Sequence, residues 1–195
     1  MNETTLVRAV TNLARPLASS LDLTIWGVEA SPGSRSVIRV FVEGTDGVDI
    51  DRCAELSRLL GLGLDVEDLI PGAYVLEVSS PGLERTFFTP EQLAGHAGRV
   101  VEVALHEPAE AYPGRKKLLG TLSVTENGAF SVIPLDADAD DPKAAEFGWD
   151  DIKKAKLVHF LPETPGGIKG KKPKNTRPPK VSPARPADGE DETAS

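Results

Sequence analysis

The chain has 195 residues, of which 39% are hydrophobic and 27% charged, and its formal net charge is −8. That length suffices for one large domain or two small ones, each with its own core. No apolar run reaches the length of a membrane span and no signal pattern opens the chain, so we expect a cytoplasmic protein. The lone cysteine, Cys53, excludes an intramolecular disulfide and a cysteine-based zinc cluster, and we expect it to be buried on a helix.

The charge is unevenly distributed along the chain. Residues 163–195 hold seven basic and five acidic residues, so the remaining residues, 1–162, carry a net charge of −10. An acidic body disfavours a domain that coats bare nucleic acid by charge alone, because the phosphate backbone would be repelled. The same body is compatible with docking onto a basic protein.

The first elements in chain order are a helix and a hairpin. Apolar residues at helical spacing predict a helix over 5–21, and Pro16 is expected to kink or split it because it lacks a backbone donor. Strands are predicted over 23–30 and 37–43, with the turn that joins them at 31–35. The pattern indicates an antiparallel pair.

A second helix and a third strand complete the N-terminal unit, residues 1–90. Asp49 is the predicted N-cap of this helix, and Gly61 is predicted to end it. The strand over 74–79 alternates apolar and polar side chains. The order helix–strand–strand–helix–strand predicts an α+β, two-layer domain with its helices on one face of a small sheet.

The sequence pattern changes after residue 90, where short predicted strands replace the long helices. A short helical turn is expected at 90–93, and strands are predicted over 99–105, 117–124, 129–135 and 155–160. An Asn-Gly turn at 126–128 joins two of them, and an acidic loop is expected over 136–146. Short strands with tight turns predict a small β-barrel over 91–162, because closure removes exposed edges. Residues 163–195, basic and then acidic, have no apolar period and are expected to be disordered.

The segment that follows the 74–79 strand is the most informative motif. It consists of Ser79, Ser80, Pro81, Gly82, Leu83, Glu84 and Arg85. One interpretation is structural. In it, the Ser80 side chain caps nearby backbone groups, Gly82 adopts a left-handed conformation, and Arg85 pairs with Glu84 or Glu77. The other is a contact surface for a partner that uses backbone amides and Arg85. Both hold if a rigid junction between domains also sets the docking geometry.

The run LEVSSPGLER, residues 76–85, closely resembles the signature of the bacterial ribosome maturation factor RimP family. Residues 38–42, 47–58 and 152–158 match the same family in the same order. The resemblance covers about residues 5–161, and it implies an SH3-like (Sm-like) barrel behind the α/β domain.

The resemblance also implies a function. It implies a cytoplasmic, non-catalytic and monomeric factor that binds the immature small (30S) ribosomal subunit and promotes its maturation. The implied partners are ribosomal RNA and the ribosomal protein at the decoding centre. The alternative is a free RNA-binding regulator that uses the Sm-like barrel.

Residue chemistry gives no sign of an enzyme. His96, His106 and His159 are scattered, with His159 expected in the last strand, and no nucleophile elbow or phosphate loop is present. We expect no metal, cofactor or small-molecule substrate. The acidic loop over 136–146 lacks the glycine and bidentate glutamate of a calcium loop, so a solvated loop is favoured over a cation site.

Lysines are the candidates for RNA contact. The set comprises Lys116, Lys117, Lys153 and Lys154 in the barrel, with Lys169, Lys171, Lys172 and Lys174 in the tail. The tail attracts phosphate without needing a fold. The barrel lysines have a second interpretation, because lysines on edge strands prevent unwanted strand pairing.

Overall fold

A computed structural model describes residues 2–31 and 36–159 of the chain. Most of the predicted turn at 31–35, the predicted disordered tail over 163–195 and the four tail lysines therefore lie outside the described residues. Within the described ranges, no helix combines the length and apolarity needed to cross a membrane.

The N-terminal part is a three-stranded sheet with two helices. Its elements are α1 (Glu3–Ser19), β1 (Thr24–Ser31), β2 (Ser36–Glu43), α2 (Ile50–Val66) and β3 (Tyr74–Ser79). Strand β2 lies in the centre, antiparallel to β1 and parallel to β3. The predicted order of elements, the hairpin and the α+β class are confirmed.

Both helices bury one stripe against the same face of this sheet. In α1 the stripe is Leu6, Val10, Ala14 and Ala18, at a spacing of four residues, which places them on one side of a helix. In α2 the stripe is Leu56, Leu60 and Leu64. These side chains pack with the inward residues of β2, Ile38, Val40 and Val42, into one core.

Two predictions about the helices are wrong. Pro16 does not split helix α1, which continues to Ser19 because Ala14 and Ala18 on either side of the proline are buried in the core; the predicted kink stays a prediction. Helix α2 does not end at Gly61 but continues to Val66, because Leu64 extends the buried stripe. Cys53 lies on α2 as predicted but is only partly buried, and burial raises the pKa of its thiol.

The second part is a six-stranded antiparallel sheet. Its elements are β4 (Thr86–Phe87), α3 (Pro90–Ala94), β5 (Val100–Leu105), β6 (Lys117–Val124), β7 (Phe130–Pro134), β8 (Ala145–Phe147), a 3-10 turn (Trp149–Asp151) and β9 (Ile152–Leu157). The strand order is β4-β9-β5-β6-β7-β8. The predicted Asn-Gly turn joins β6 to β7, with Gly128 at a φ of +77°.

The structure corrects three details of this part. Strand β8 lies at the end of the segment that was predicted to be an acidic loop. Strand β9 begins at Ile152 and ends at Leu157, so His159 lies beyond the last strand and is exposed. Strand β4 was not predicted, because two residues are too few to carry a period.

The predicted barrel is not confirmed. Within residues 2–31 and 36–159, the edge strands β4 and β8 are not paired with each other, so the sheet is open. The division into domains at 1–90 and 91–162 also stays a prediction. Strand β4 lies before residue 90 but already pairs with β9 of the second sheet.

Candidate functional site

Most of the segment from Ser79 to Arg85, namely residues 80–83 and Arg85, forms one wall of a surface groove. Because β2 and β3 are parallel, their carboxyl ends meet at one edge of the sheet, and the groove lies at that edge. Its volume is about 370 Å³. The lining residues are Val42, Glu43, Gly44, Gly47, Val48, Ser80, Pro81, Gly82, Leu83 and Arg85. The loop between β2 and α2 forms the opposite wall.

Gly82 in this segment has the backbone conformation that its sequence predicted, whereas no hydrogen bond from the Ser80 side chain is seen among the described residues. Gly82 has a φ of +72°, the left-handed conformation that glycine adopts at little cost. The turn directs Leu83 outward, and 66% of its surface is exposed. Ser79 and Ser80 are exposed as well. The segment therefore presents a large apolar side chain to solvent.

Arg85 is held in place by two contacts on the N-terminal sheet. Its Nη1 lies 2.5 Å from Oε1 of Glu43, and its guanidinium carbon lies 5.1 Å from the centroid of the Trp26 ring. The predicted pairing of Arg85 with Glu84 or Glu77 is wrong, because Glu77 pairs with Arg39 across β2 and β3 instead. Arg85 thus fixes the path of the chain between the two sheets.

An aromatic junction joins the two sheets directly beside the groove. The indole Nε1 of Trp26 donates a hydrogen bond of 2.8 Å to the carbonyl of Thr86, and the Trp26 carbonyl accepts one of 2.7 Å from Gln92 Nε2. The Trp26 ring also packs near Phe87, with centroids 6.4 Å apart. The junction is therefore fastened by polar and apolar contacts together.

Gly27 allows the Phe88 ring to lie directly against strand β1. A β-carbon on residue 27 would lie 2.0 Å from Cδ2 of Phe88, so only glycine lets this ring lie on β1. The Phe88 ring also packs against Phe41 of β2, with centroids 5.7 Å apart. No sequence pattern identifies these partners, because they are far apart along the chain. The one available signal was the glycine inside a predicted strand, which often marks a close approach.

The N-terminus of α2, beside the groove, is already occupied by a carboxylate. Asp49 accepts a hydrogen bond of 2.8 Å from the backbone N–H of Arg52, as an N-cap does, and also pairs with its guanidinium. These two contacts, the backbone one first, hold the pKa of Asp49 below its usual value. Arg52 in turn donates to the carbonyl of Gly47, a groove residue.

The lysines predicted to contact RNA lie mostly beside carboxylates. Lys116 pairs with Glu107 at 3.2 Å, Lys117 with Glu102 at 2.8 Å, and Lys154 with Glu29 at 3.1 Å. Lys153 is exposed on β9. The Lys154–Glu29 pair links the two sheets, so at least one of these lysines has a structural role.

Within residues 2–31 and 36–159, no three or more His, Cys, Asp or Glu side chains form a group that could hold a metal ion. His96 packs into the aromatic junction, 4.9 Å from the Phe87 ring, and its Nδ1 lies 2.8 Å from the carbonyl of Gln92. The arrangement at the groove is suited to binding a partner.

We expect Gly82→Val to lower the free energy of unfolding by about 1–3 kcal/mol, because valine is strained at positive φ. No atom of the described residues lies within 4 Å of a β-carbon at this position, so the expected cost comes from the backbone conformation. Thermal denaturation measures it. The control is Gly82→Asn, which tolerates the left-handed region and should retain most of the stability. Equal melting curves for the two variants would contradict the interpretation.

Comparison with known proteins gives a consistent result. A family model described as the RimP N-terminal domain matches residues 13–84. A "Ribosome maturation factor RimP" from Nitratidesulfovibrio vulgaris (strain DP4) is 45% identical over 165 residues, covering 84% of this chain and 96% of that protein. One from the Miyazaki F strain is 39% identical, covering 93% of this chain and 92% of that protein. One from Lawsonia intracellularis is 37% identical, covering 83% and 91%.

Proposed function

Because this chain belongs to the RimP family of ribosome maturation factors, we propose that it binds the immature small (30S) ribosomal subunit and promotes its maturation. The observation that carries the proposal is the 45% identity that extends over 96% of a protein named ribosome maturation factor. Ribosomal subunits assemble in the cytoplasm, and we propose that location for this chain. It acts without catalysing a reaction and needs no cofactor.

The mechanism is the selection of one conformation of the precursor. A protein that binds one conformation more tightly than the others shifts the population toward it, and the differential affinity sets the size of the shift. Such a role favours a rigid binding surface, because a flexible surface loses more conformational entropy when it binds. The contacts among Trp26, Thr86 and Gln92 supply that rigidity between the two sheets.

The proposed partners are ribosomal RNA and the ribosomal protein at the decoding centre, with the chain acting as a monomer. The segment Ser79–Arg85 contributes the docking surface, and the exposed lysines Lys116, Lys117, Lys153 and Lys154 contribute RNA contacts at its periphery. The carboxylates beside three of these lysines weaken their attraction for phosphate. This disfavours the alternative, a free regulator that binds RNA through the second sheet alone.

We also propose that the second sheet, although its edge strands β4 and β8 are not paired with each other among the described residues, curls into an SH3-like (Sm-like) barrel, the predicted domain over 91–162, to which β4 adds an edge strand from before residue 90. Strands β5 and β6 alternate buried residues with partly buried or exposed ones, and the buried residues form a single cluster. In the described part of the chain after β4, the five-residue α3 is the one α-helix available to cover them. A sheet with one apolar face and so little cover must curl over itself to bury that face.

Sedimentation of cell extract tests the proposed function. We expect the chain in the fractions of free small subunits and their precursors, and nearly none in translating ribosomes, because a maturation factor leaves the finished particle. The measurement is immunodetection across a sucrose gradient at low and at physiological salt. Equal occupancy of translating ribosomes, or sedimentation only with free RNA, would contradict the proposal.

A further inference from the structure

The outward face of helix α1 carries two arginines that are not engaged with carboxylates. Arg8 and Arg15 are exposed, and neither forms an ion pair within residues 2–31 and 36–159. The other arginines that the structure describes up to residue 85 are each paired with a carboxylate, namely Arg39, Arg52, Arg58 and Arg85. The two guanidinium groups of α1 are therefore available to a ligand.

The rest of this face is polar and carries no negative charge. Its exposed residues are Thr5, Arg8, Asn12, Arg15 and Ser19. They recur every three or four residues, which places them on one side of the helix, opposite the buried stripe. Residues 4–21 contain no aspartate or glutamate, although residues 1–162 carry a net charge of −10, and the nearest acids along the chain flank the helix at Glu3 and Asp22.

A groove lies at the carboxyl-terminal end of this face. Its volume is about 350 Å³, and its lining residues are Arg15, Ser19, Leu23, Thr24 and Ile25. The hydroxyl of Ser20 donates to the carbonyl of Leu17, whereas no hydrogen bond of the Ser19 or Thr24 hydroxyl is seen among the described residues. The groove thus offers one guanidinium and two hydroxyl groups beside apolar side chains.

The side chains of this face are of the types that bind a nucleic-acid backbone. Arginine, serine, threonine and asparagine are among the residues that contact phosphate and sugar, and a guanidinium can hold a phosphate through two parallel hydrogen bonds. A basic protein segment would be repelled by Arg8 and Arg15. A lipid surface would require an exposed apolar face, but the apolar stripe of α1 lies in the core. The charge and chemistry of the face therefore match RNA.

We propose that the exposed face of α1 binds the sugar–phosphate backbone of an rRNA strand, with Arg8 and Arg15 on separate phosphates and the groove holding the phosphate at Arg15. The inference rests on the proposed function and adds a surface to it. The two arginines are about 10 Å apart along the helix axis, so their side chains can contact different phosphates of one strand. They bind phosphate without first giving up a carboxylate, unlike the paired lysines of the second sheet.

The test measures the Kd of the full chain for protein-free small-subunit rRNA over a salt series. We expect the double variant Arg8→Gln/Arg15→Gln to bind about tenfold more weakly at low salt, because two charged hydrogen-bond donors are lost. The slope of log affinity against log salt should fall by about 1.4, since each phosphate contact on a single strand contributes about 0.7.

The matched control is the double variant Arg39→Gln/Arg58→Gln. It makes the same change in net charge at two exposed arginines of the N-terminal part, but both of these are paired with carboxylates. It should keep the original salt slope. Exposed ion pairs contribute little to stability, and Arg8 and Arg15 are exposed as well, so neither double variant is expected to unfold the chain.

Two further variants separate charge from geometry. Arg8→Lys/Arg15→Lys keeps both charges and should keep the salt slope, while the loss of the paired hydrogen bonds weakens binding. Ser19→Ala/Thr24→Val removes the hydroxyls of the groove without changing the charge. It should raise the Kd by about fivefold and leave the slope unchanged, and an unchanged Kd would show that no phosphate lies in the groove.

The outcomes separate this inference from the proposed function. If the unchanged chain binds no rRNA at low salt, or if Arg8→Gln/Arg15→Gln binds rRNA with the original Kd and slope, α1 is not an RNA-binding surface. If this variant loses binding to precursor subunits but keeps binding to rRNA, the face binds an acidic protein and the partner class is wrong. If the unchanged chain fails to bind precursor subunits, the proposed function itself fails, and the salt slope on rRNA alone decides whether α1 binds RNA.

Discussion

Replacement of Gly120 by alanine is expected to destabilise the second sheet by about 3 kcal/mol or more, at or above the upper end of the range for overpacked sites. A β-carbon on residue 120 would lie 2.1 Å from the carbonyl oxygen of Ile133 on the neighbouring strand β7. Backbone atoms cannot rotate away as a flexible side chain can, so the paired strands β6 and β7 must separate or shift. Thermal or guanidinium denaturation measures the loss.

Gly61→Ala is the control for this substitution. Gly61 lies inside α2, and no atom of the described residues lies within 4 Å of a β-carbon there, so alanine should raise the free energy of unfolding by about 0.5–1 kcal/mol. The same chemical change is thus expected to have opposite signs at the two positions. If Gly120→Ala melts like the unchanged chain, the close approach of β6 and β7 does not exist in solution.

The N-terminal unit was predictable because its signals are local and long. Helices of seventeen residues are long enough for apolar residues to recur over several turns. The start of α2 was also predictable, because Asp49 is a residue type that caps helix N-termini. The predicted end of α2 at Gly61 is wrong. Glycine commonly ends helices, but Gly61 and Gly63 both lie inside this one. A β-carbon at Gly63 would lie 3.1 Å from Leu13, so the packing of α2 on α1 favours glycine there.

The features that the sequence did not predict depend on contacts between residues that are far apart along the chain. Strands β4 and β8 have two and three residues, too few for a period, and exist because they pair with β9 and β7. The partner of Arg85, Glu43, is 42 residues away, and the local candidates Glu84 and Glu77 were favoured only by sequence distance. The glycine turn at Gly82 was predictable because a positive φ is a property of one residue.

The second large loss of stability is expected from a substitution in the aromatic junction. We expect Trp26→Ala to lower the free energy of unfolding by about 3 kcal/mol, the lower end of the range for this change, because the ring is only partly buried. The substitution removes the hydrogen bond to Thr86, the packing on Phe87 and the surface on which Arg85 lies. Trp26→Phe keeps a ring but loses the N–H donor, and it should cost about 1 kcal/mol.

The same substitution tests whether the junction serves docking as well as folding. With the junction loosened, the two sheets must be ordered on binding, so the Kd of Trp26→Ala for precursor subunits should rise by about tenfold, measured below its melting temperature. Trp149→Ala is the matched control, because Trp149 packs on Phe130 within the second sheet, and no ring pair between Trp149 and the junction residues is found among the described residues. That variant should lose stability yet bind normally. If Trp26→Ala melts early but binds with the original Kd, the fixed orientation of the sheets is a requirement of stability alone, and docking depends on the groove by itself.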